Sequence, residues 1–235
     1  MSRVAVIIPA GGKGRRIGGR VPKQFLSILG KPVLSHTIAC FEGIREVREI
    51  ILVVSRAHFR RTTLLVKNGK FRKVTAIVEG GRERQDSVRH GLNACSEDAE
   101  IVLVHDAVRP LVSPEIIRRV ITASIRFGAA VVGARVRDTI KIESTSRTGF
   151  YAKTLPRKLL WGVQTPQGFR IELLKRAHRS AEKSGFLGTD DASLVERLGI
   201  PVRIVQGNPE NLKITAPFDL LLAEILLSSR RTPRG

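Results

Sequence analysis

Five positive charges crowd one glycine-rich stretch near the start of the chain, Pro9-Ala10-Gly11-Gly12-Lys13-Gly14-Arg15-Arg16-Ile17-Gly18-Gly19-Arg20-Val21-Pro22-Lys23-Gln24. A glycine turn lets backbone N–H groups approach an anion with no Cβ in the way. Lys and Arg add the full charges that the N–H groups lack. The chemistry this offers is phosphate binding. The G-x-G-x-x-G fingerprint of dinucleotide sites fails, because Ile17 stands where a third glycine is needed after Gly12 and Gly14. The P-loop fails too, since Gly14 and Gly19 are followed by Arg20-Val21 rather than Lys-Ser or Lys-Thr.

Two further stretches carry polar groups after apolar runs. Glu79-Gly80-Gly81-Arg82-Glu83-Arg84-Gln85-Asp86-Ser87-Val88 reads as a glycine turn entering a helix, and nothing in it alone demands more than a turn. His105-Asp106-Ala107-Val108-Arg109-Pro110 follows the run Ile101–Val104. A carboxylate at the end of a strand beside a phosphate loop suits Mg²⁺, although Asp106 is also placed to cap the next turn. Cys40 and Cys95 lie far apart and the five histidines form no ligand spacing, so a structural metal is not expected. The two cysteines are expected to be buried free thiols.

These residues need a scaffold that brings strand ends together. Val4–Ile8, Ile50–Val54, Val74–Val78, Ile101–Val104, Ala129–Ala134 and Val202–Val205 read as buried strands. Helical patterns over 32–41, 59–66, 113–127, 169–184 and 216–227 separate them, with Pro32 at a first helical position and Ser113 and Thr189 as N-caps. The alternation predicts a mostly parallel α/β sheet, in which ligands sit at the carboxyl ends of the strands. Arg137–Glu143 instead alternates polar with apolar, turns at 144–149, and returns over 150–154. That is a hairpin of about 136–161 projecting from the domain, and a projecting arm invites dimerisation. Asp190-Asp191 reads as charge at a helix N-terminus. The basic end, 229–235, has no apolar pattern and is expected to be a disordered tail behind a single domain over 1–228.

Across 235 residues, 42% hydrophobic content supports a full core, while the net charge of +20 points toward anionic partners. The cations are dispersed and aromatic residues make up only 5%, which speaks against a specific nucleic-acid surface. No apolar run approaches the ~20 residues a membrane span needs, and no signal peptide is visible, so a cytoplasmic protein is expected.

The motifs together resemble the 2-C-methyl-D-erythritol 4-phosphate cytidylyltransferase family, within the sugar-nucleotide pyrophosphorylase-like nucleotidyltransferases. The family's Ala-Ala-Gly-x-Gly-x-Arg-Met-Gly then Pro-Lys-Gln stands here as 10–18 then 22–24, with Gly11 for Ala and Ile17 for Met. Its Gly-Gly-x-x-Arg-x-x-Ser-Val, His-Asp-Ala-x-Arg-Pro and Asn-x-Lys-x-Thr are matched at 80–88, 105–110 and 211–215. The resemblance runs in six motifs from Pro9 to about Leu226, with no fused cyclodiphosphate synthase expected in this chain. It implies a single Rossmann-like nucleotidyltransferase domain whose interlocking arm builds a homodimer, with CTP and a polyol phosphate as substrates and Mg²⁺ as cofactor. Ala10, Gly11, Gly12, Lys13, Gly14, Gly80, Gly81, Arg84, Ser87 and Ala107 would hold the nucleotide, the Gly80 segment reading cytosine. Arg16 and Lys23 would stabilise charge at the α-phosphate. Asp106, Arg109, Thr139, Lys213 and Arg157 of the partner subunit would take the second substrate, with Asp106 also near the metal. Ribitol 5-phosphate is the alternative substrate, since polyol choice rests on a few pocket side chains. An NAD(P)-dependent oxidoreductase is disfavoured by the broken fingerprint, and a nucleic-acid-binding protein rests on charge alone.

Overall fold

The expected strands form the spine of the computed structural model, which describes residues 3–12 and 21–230. In chain order the elements are β1 (Val4–Pro9), a short hairpin β2 (Ser27–Ile28) and β3 (Lys31–Pro32), α1 (Val33–Glu42), β4 (Val47–Val54), α2 (Phe59–Gly69), β5 (Val74–Glu79), α3 (Arg84–Asn93), β6 (Ile101–Val104), α4 (Pro114–Phe127) and β7 (Ala129–Arg135). Then come β8 (Lys141–Glu143), β9 (Tyr151–Thr154), β10 (Trp161–Arg170), α5 (Ile171–Lys183), α6 (Asp191–Glu196), β11 (Arg203–Gln206) and α7 (Pro217–Ser229).

Seven strands make one sheet in the order β11-β7-β10-β6-β1-β4-β5. All neighbours are parallel except β10, which runs antiparallel to both β6 and β7. Successive side chains of a strand face opposite sides. Val4, Val6 and Ile8 of β1 therefore join one core with α1, α2 and α4, while Ala5 and Ile7 join another with α3, α5 and α6. A third, smaller core sets Ile28, Val33, Val108, Leu111 and Ile214 against Ala223 of α7.

Several expectations shift. Strand β10 was not foreseen: Phe169 was expected to open a helix, but it is fully buried on β10, and α5 begins at Ile171. Gln164-Thr165-Pro166-Gln167-Gly168 has turn composition, yet the pairing with β7 breaks register between Val163 and Gln167, which accommodates Pro166 and its missing N–H. Pro32 caps α1 rather than starting it, and Asp190, not Thr189, caps α6 through its bond to the Ser193 N–H. Cys40 and Cys95 are free but only half-buried. Helix α7 continues to Ser229, and Arg230 donates to the Leu111 carbonyl (3.0 Å), so any tail starts no earlier than 231. Residues 231–235 lie outside the described residues.

The hairpin is present, with a shorter ladder than the alternation implied. Only Lys141–Glu143 pairs with Tyr151–Thr154, as a two-stranded sheet of its own. It extends from the β7/β10 pair, whose last matched residues are Arg135 and Trp161. The arm leaves Ile142, Phe150, Tyr151 and Leu159 exposed. Helix α7 exposes Phe218, Leu221 and Ile225, which recur at helical spacing on one side.

Candidate active site

Four parallel strands, β1, β4, β5 and β6, end on one edge of the sheet, and chain order reverses direction between β1 and β6. Such a reversal opens a crevice at the strand ends. Each expected segment leaves from this edge. After β1, Ala10 donates its N–H to the Val53 carbonyl (2.6 Å), and Gly11 and Gly12 begin the loop. Lys13, Gly14 and Arg16 lie outside the described residues. The loop's exit is tied to its entrance, because the buried Gln24 side chain donates to the Ala10 carbonyl (2.6 Å). Next to this clamp, Lys23 Nζ lies 3.4 Å from the Ile214 carbonyl, beside Lys213.

After β5, Gly80 donates to the Val54 carbonyl (2.9 Å), so the second turn packs against the strand next to β1. A Cβ on Gly81 would overlap Asp86, and one on Gly80 would sit 2.9 Å from Ser87 Oγ. This close approach is what the two glycines permit. The Ser87 hydroxyl accepts from the Gly81 N–H (3.1 Å) and donates to the Glu83 carbonyl (3.1 Å). Ser87 thus sets the shape of the turn, and exposed backbone of that turn is what a ligand would meet.

After β6, Asp106 gathers three cations. Its Oδ2 lies 3.0 Å from Lys213 Nζ and 3.1 Å from Arg109 Nε, and its Oδ1 lies 3.9 Å from Arg84 Nε. Burial works against the charge of Asp106, but Lys213, followed by Arg84 and Arg109, outweighs it and lowers its pKa to about 2. Arg109 Nη1 also donates to the Asn211 carbonyl (2.7 Å), and the Asn211 side chain donates to the Thr165 carbonyl (2.8 Å). The Ala107 carbonyl accepts from Thr37 Oγ1 (2.9 Å), fixing the turn from the α1 side.

His105, given no role from sequence, holds this turn in place. Its Nε2 bonds the Arg109 carbonyl (3.0 Å) and its Nδ1 bonds Thr165 Oγ1 (3.0 Å), which also accepts the Asp106 N–H (3.1 Å). A neutral ring satisfies all three: Nε2–H donates to the carbonyl and Nδ1 accepts the hydroxyl proton. Burial, the largest influence, lowers its pKa from 6.5 to about 4. Between those values the unfolded chain takes up a proton that the folded chain refuses, so stability falls as pH falls from 6.5 to 4, by up to about 3 kcal/mol. Asp106 acts lower, its contribution being complete above 3.8 and lost as pH falls toward 2. Urea titrations from pH 7 to 4 are expected to show a steep loss for the wild type and a shallower one for His105→Gln. Equal slopes would remove His105 as its source.

Not every expected residue converges here. Thr139 and Arg157 lie on the exposed arm, and Arg157 Nη1 donates to the Arg137 carbonyl (2.9 Å) within it. Among the described residues no hydrogen bond or ion pair links either to the Asp106 cluster of the same chain. Asp106 also does not fit the role of a metal ligand. Both of its oxygens face cations, and among the described residues no group of three His, Cys, Asp or Glu gathers to hold an ion. The cluster holds three cations around one carboxylate.

A family model, for 2-C-methyl-D-erythritol 4-phosphate cytidylyltransferase (IspD), matches residues 4–229. The chain belongs to this family. It is 45% identical over 234 residues to the cytidylyltransferase of Pelotomaculum thermopropionicum, covering 98% of this chain and 97% of that one. It is 48% identical over 224 residues to that of Symbiobacterium thermophilum, covering 95% and 92%. The crystal structure of the cytidylyltransferase from Thermus thermophilus superposes with a TM-score of 0.78 at 38% identity, covering 97% of this chain and all of that one. Cytidylyltransferase membership accounts for the motif residues. Of the supports behind them, Gln24, His105, Thr165 and Asn211 have no role assigned from sequence, and Asp191 reads there only as charge at a helix N-terminus. Gln24, His105 and Asn211 sit within matched motifs, and that position was the only signal available for them.

Proposed function

We propose that the protein transfers a cytidylyl group from CTP to 2-C-methyl-D-erythritol 4-phosphate, giving 4-diphosphocytidyl-2-C-methyl-D-erythritol and pyrophosphate for isoprenoid precursor synthesis. The observation that carries this reading is the Asp106 cluster, in which one carboxylate places Lys213, Arg109 and Arg84 at the sheet's switch point, beside a phosphate loop. A phosphate monoester has a second pKa of about 6, so the nucleophile is already ionised at neutral pH and needs no general base. That agrees with a neutral, buried His105 kept for structure. The barrier is electrostatic, an anion approaching the α-phosphorus of a polyanion. The protein lowers it by in-line positioning and by fixed positive charge. Arg16 and Lys23 act at the α-phosphate, and Lys213 with Arg109 receives the phosphate of the second substrate. The turn at Gly80 and Gly81 presents its backbone to the cytosine edge.

Any Mg²⁺ would be held by the triphosphate of the nucleotide rather than by Asp106, which faces cations, and would supply neutralisation of the phosphate charge. The arm completes the site from a second copy of the chain. Its exposed Ile142, Phe150 and Leu159 need a surface to bury against, because an isolated two-stranded hairpin is marginal in water. Two-fold pairing would supply that surface and bring Thr139 and Arg157 of the partner subunit to the pocket. Among the described residues no helix is long and apolar enough to cross a membrane.

Pyrophosphate release tests the assignment. CTP with methylerythritol phosphate is expected to turn over, and ribitol 5-phosphate is expected to be poor. UTP, which exchanges a donor for an acceptor at the base edge, is expected to fall behind CTP by ~1–3 kcal/mol in kcat/KM. Faster turnover of ribitol phosphate would move the protein to the sister activity, and equal use of UTP would end the base-reading role of the Gly80 turn.

A further inference from the structure

Asp190 and Asp191 stand side by side at the start of α6, yet only Asp190 caps the helix with its side chain. Asp190 Oδ1 accepts the Ser193 N–H (2.9 Å), and its Oδ2 accepts from Gln167 Nε2 (2.6 Å). Among the described residues, no backbone N–H donates to the Asp191 side chain. Its side chain is 1% exposed, and its polar neighbours are Arg84 Nη1 at 2.8 Å and His178 Nε2 at 3.7 Å. Burial opposes its charge, but Arg84, then His178, outweighs it and lowers its pKa. An ionised carboxylate in so dry a place is costly, and a buried ion pair is weak evidence of stabilisation by itself. Its position must be explained by what it holds.

What it holds is the guanidinium at the first residue of α3, directly after the Gly80 turn. Arg84 is shared between two carboxylates, close to Asp191 and 3.9 Å from Asp106. A cavity of about 80 Å³ borders the pair, lined by Arg84, Gln85, Gly188, Thr189 and Asp191 among others. The Arg84 side chain is about one-third exposed, so packing holds it only in part and the ion pair contributes the rest. Without the Asp191 charge, Arg84 is left with Asp106, where it would compete with Lys213 and Arg109, and with the more distant Asp190, whose oxygens already accept from the Ser193 N–H and Gln167.

We infer that Asp191 is a positioning residue that draws Arg84 back from Asp106 and so keeps its guanidinium available to the nucleotide. The inference rests on the nucleotide-binding role proposed above for Arg84. By analogy with the outer partners of metal ligands, whose removal costs about 10–100-fold in affinity or activity, a comparable loss is expected here. Asp191→Asn is expected to raise the KM for CTP about tenfold with kcat changed much less, and to lower the melting temperature, because it removes one partner of a buried pair. A merely structural role would lower the melting temperature and the active fraction and leave KM alone.

The deciding experiment is a double-mutant cycle on the full chain, read as KM for CTP. Arg84→Gln alone should raise it, and adding Asp191→Asn to Arg84→Gln should change it no further. Two single effects that multiply in the double variant would overturn the positioning role while leaving the nucleotide role of Arg84 intact. An Arg84→Gln enzyme with unchanged KM would overturn both. Should Asp191→Asn fail to fold, Asp191→Glu keeps the charge but moves it by one methylene, and the same cycle is read from it with the same criteria.

Discussion

Lys23→Ala is expected to lower kcat by ~10²–10³ without disturbing the fold, the loss typical of removing one fixed donor that meets charge in the transition state. The geometry separates Lys23 from its neighbours in the motif. Gln24 does the structural work, closing the loop on the Ala10 carbonyl from a buried position, while Lys23 is only half-buried and projects toward the Ile214 carbonyl beside Lys213. Pro22 fixes the backbone just before it, so the ammonium is aimed. Steady-state kinetics together with a melting curve check this, and a near-normal kcat would take Lys23 out of the mechanism. Gln24→Ala makes the contrast, since loosening the loop should affect stability as well as rate.

Mixing two inactive proteins is expected to restore activity. If the arm crosses to a second copy, an Arg157→Ala chain lacks a group in its partner's site, whereas a Lys23→Ala chain lacks one in its own. A crossed pair then holds one site with both defects and one with neither. Random exchange makes half the dimers mixed, so recovery should approach roughly a quarter of wild-type activity. The exposed position of Arg157 on the arm, where its side chain donates to the arm's own backbone at Arg137, is the structural ground for expecting this. Proven exchange without recovery would place Arg157 in its own chain's site, and a monomer by sedimentation at micromolar concentration would remove the crossed arrangement.

The strand ends that carry chemistry were legible because apolar runs and glycine turns are local signals. Ile101–Val104 followed by His105-Asp106 needs no tertiary information to be read as a strand leading to a polar turn. Strand β10 was not legible, because Pro166 and Gly168 speak for a turn and only the packing overrides them: Gly168 lets α4 approach, and a Cβ there would lie 2.8 Å from Leu103 and Val120 side chains. The site divides the same way. Residues that would touch ligand sit in turns with distinctive composition. Those that hold them, His105 through Thr165 and Arg84 through Asp191, act across 60 and 107 positions of sequence, and no local pattern reports such a pairing.

The place of β10 in the sheet bears on how the chain is made. Synthesis delivers β1, β4, β5 and β6 first, four adjacent parallel strands complete by residue 104. The far side of β6 then has no neighbour until residues 161–170 arrive, and β7 emerges earlier but belongs one place further out. For some sixty residues of translation, β6 presents a row of unpaired backbone groups, a hazard for pairing between nascent chains. The same late strand brings Thr165 to His105 and Gln167 to Asp190. The strand that fills the place between β6 and β7 also supplies the hydroxyl that receives the Asp106 N–H, so a chain still lacking β10 has neither a sealed core nor a finished turn at Asp106.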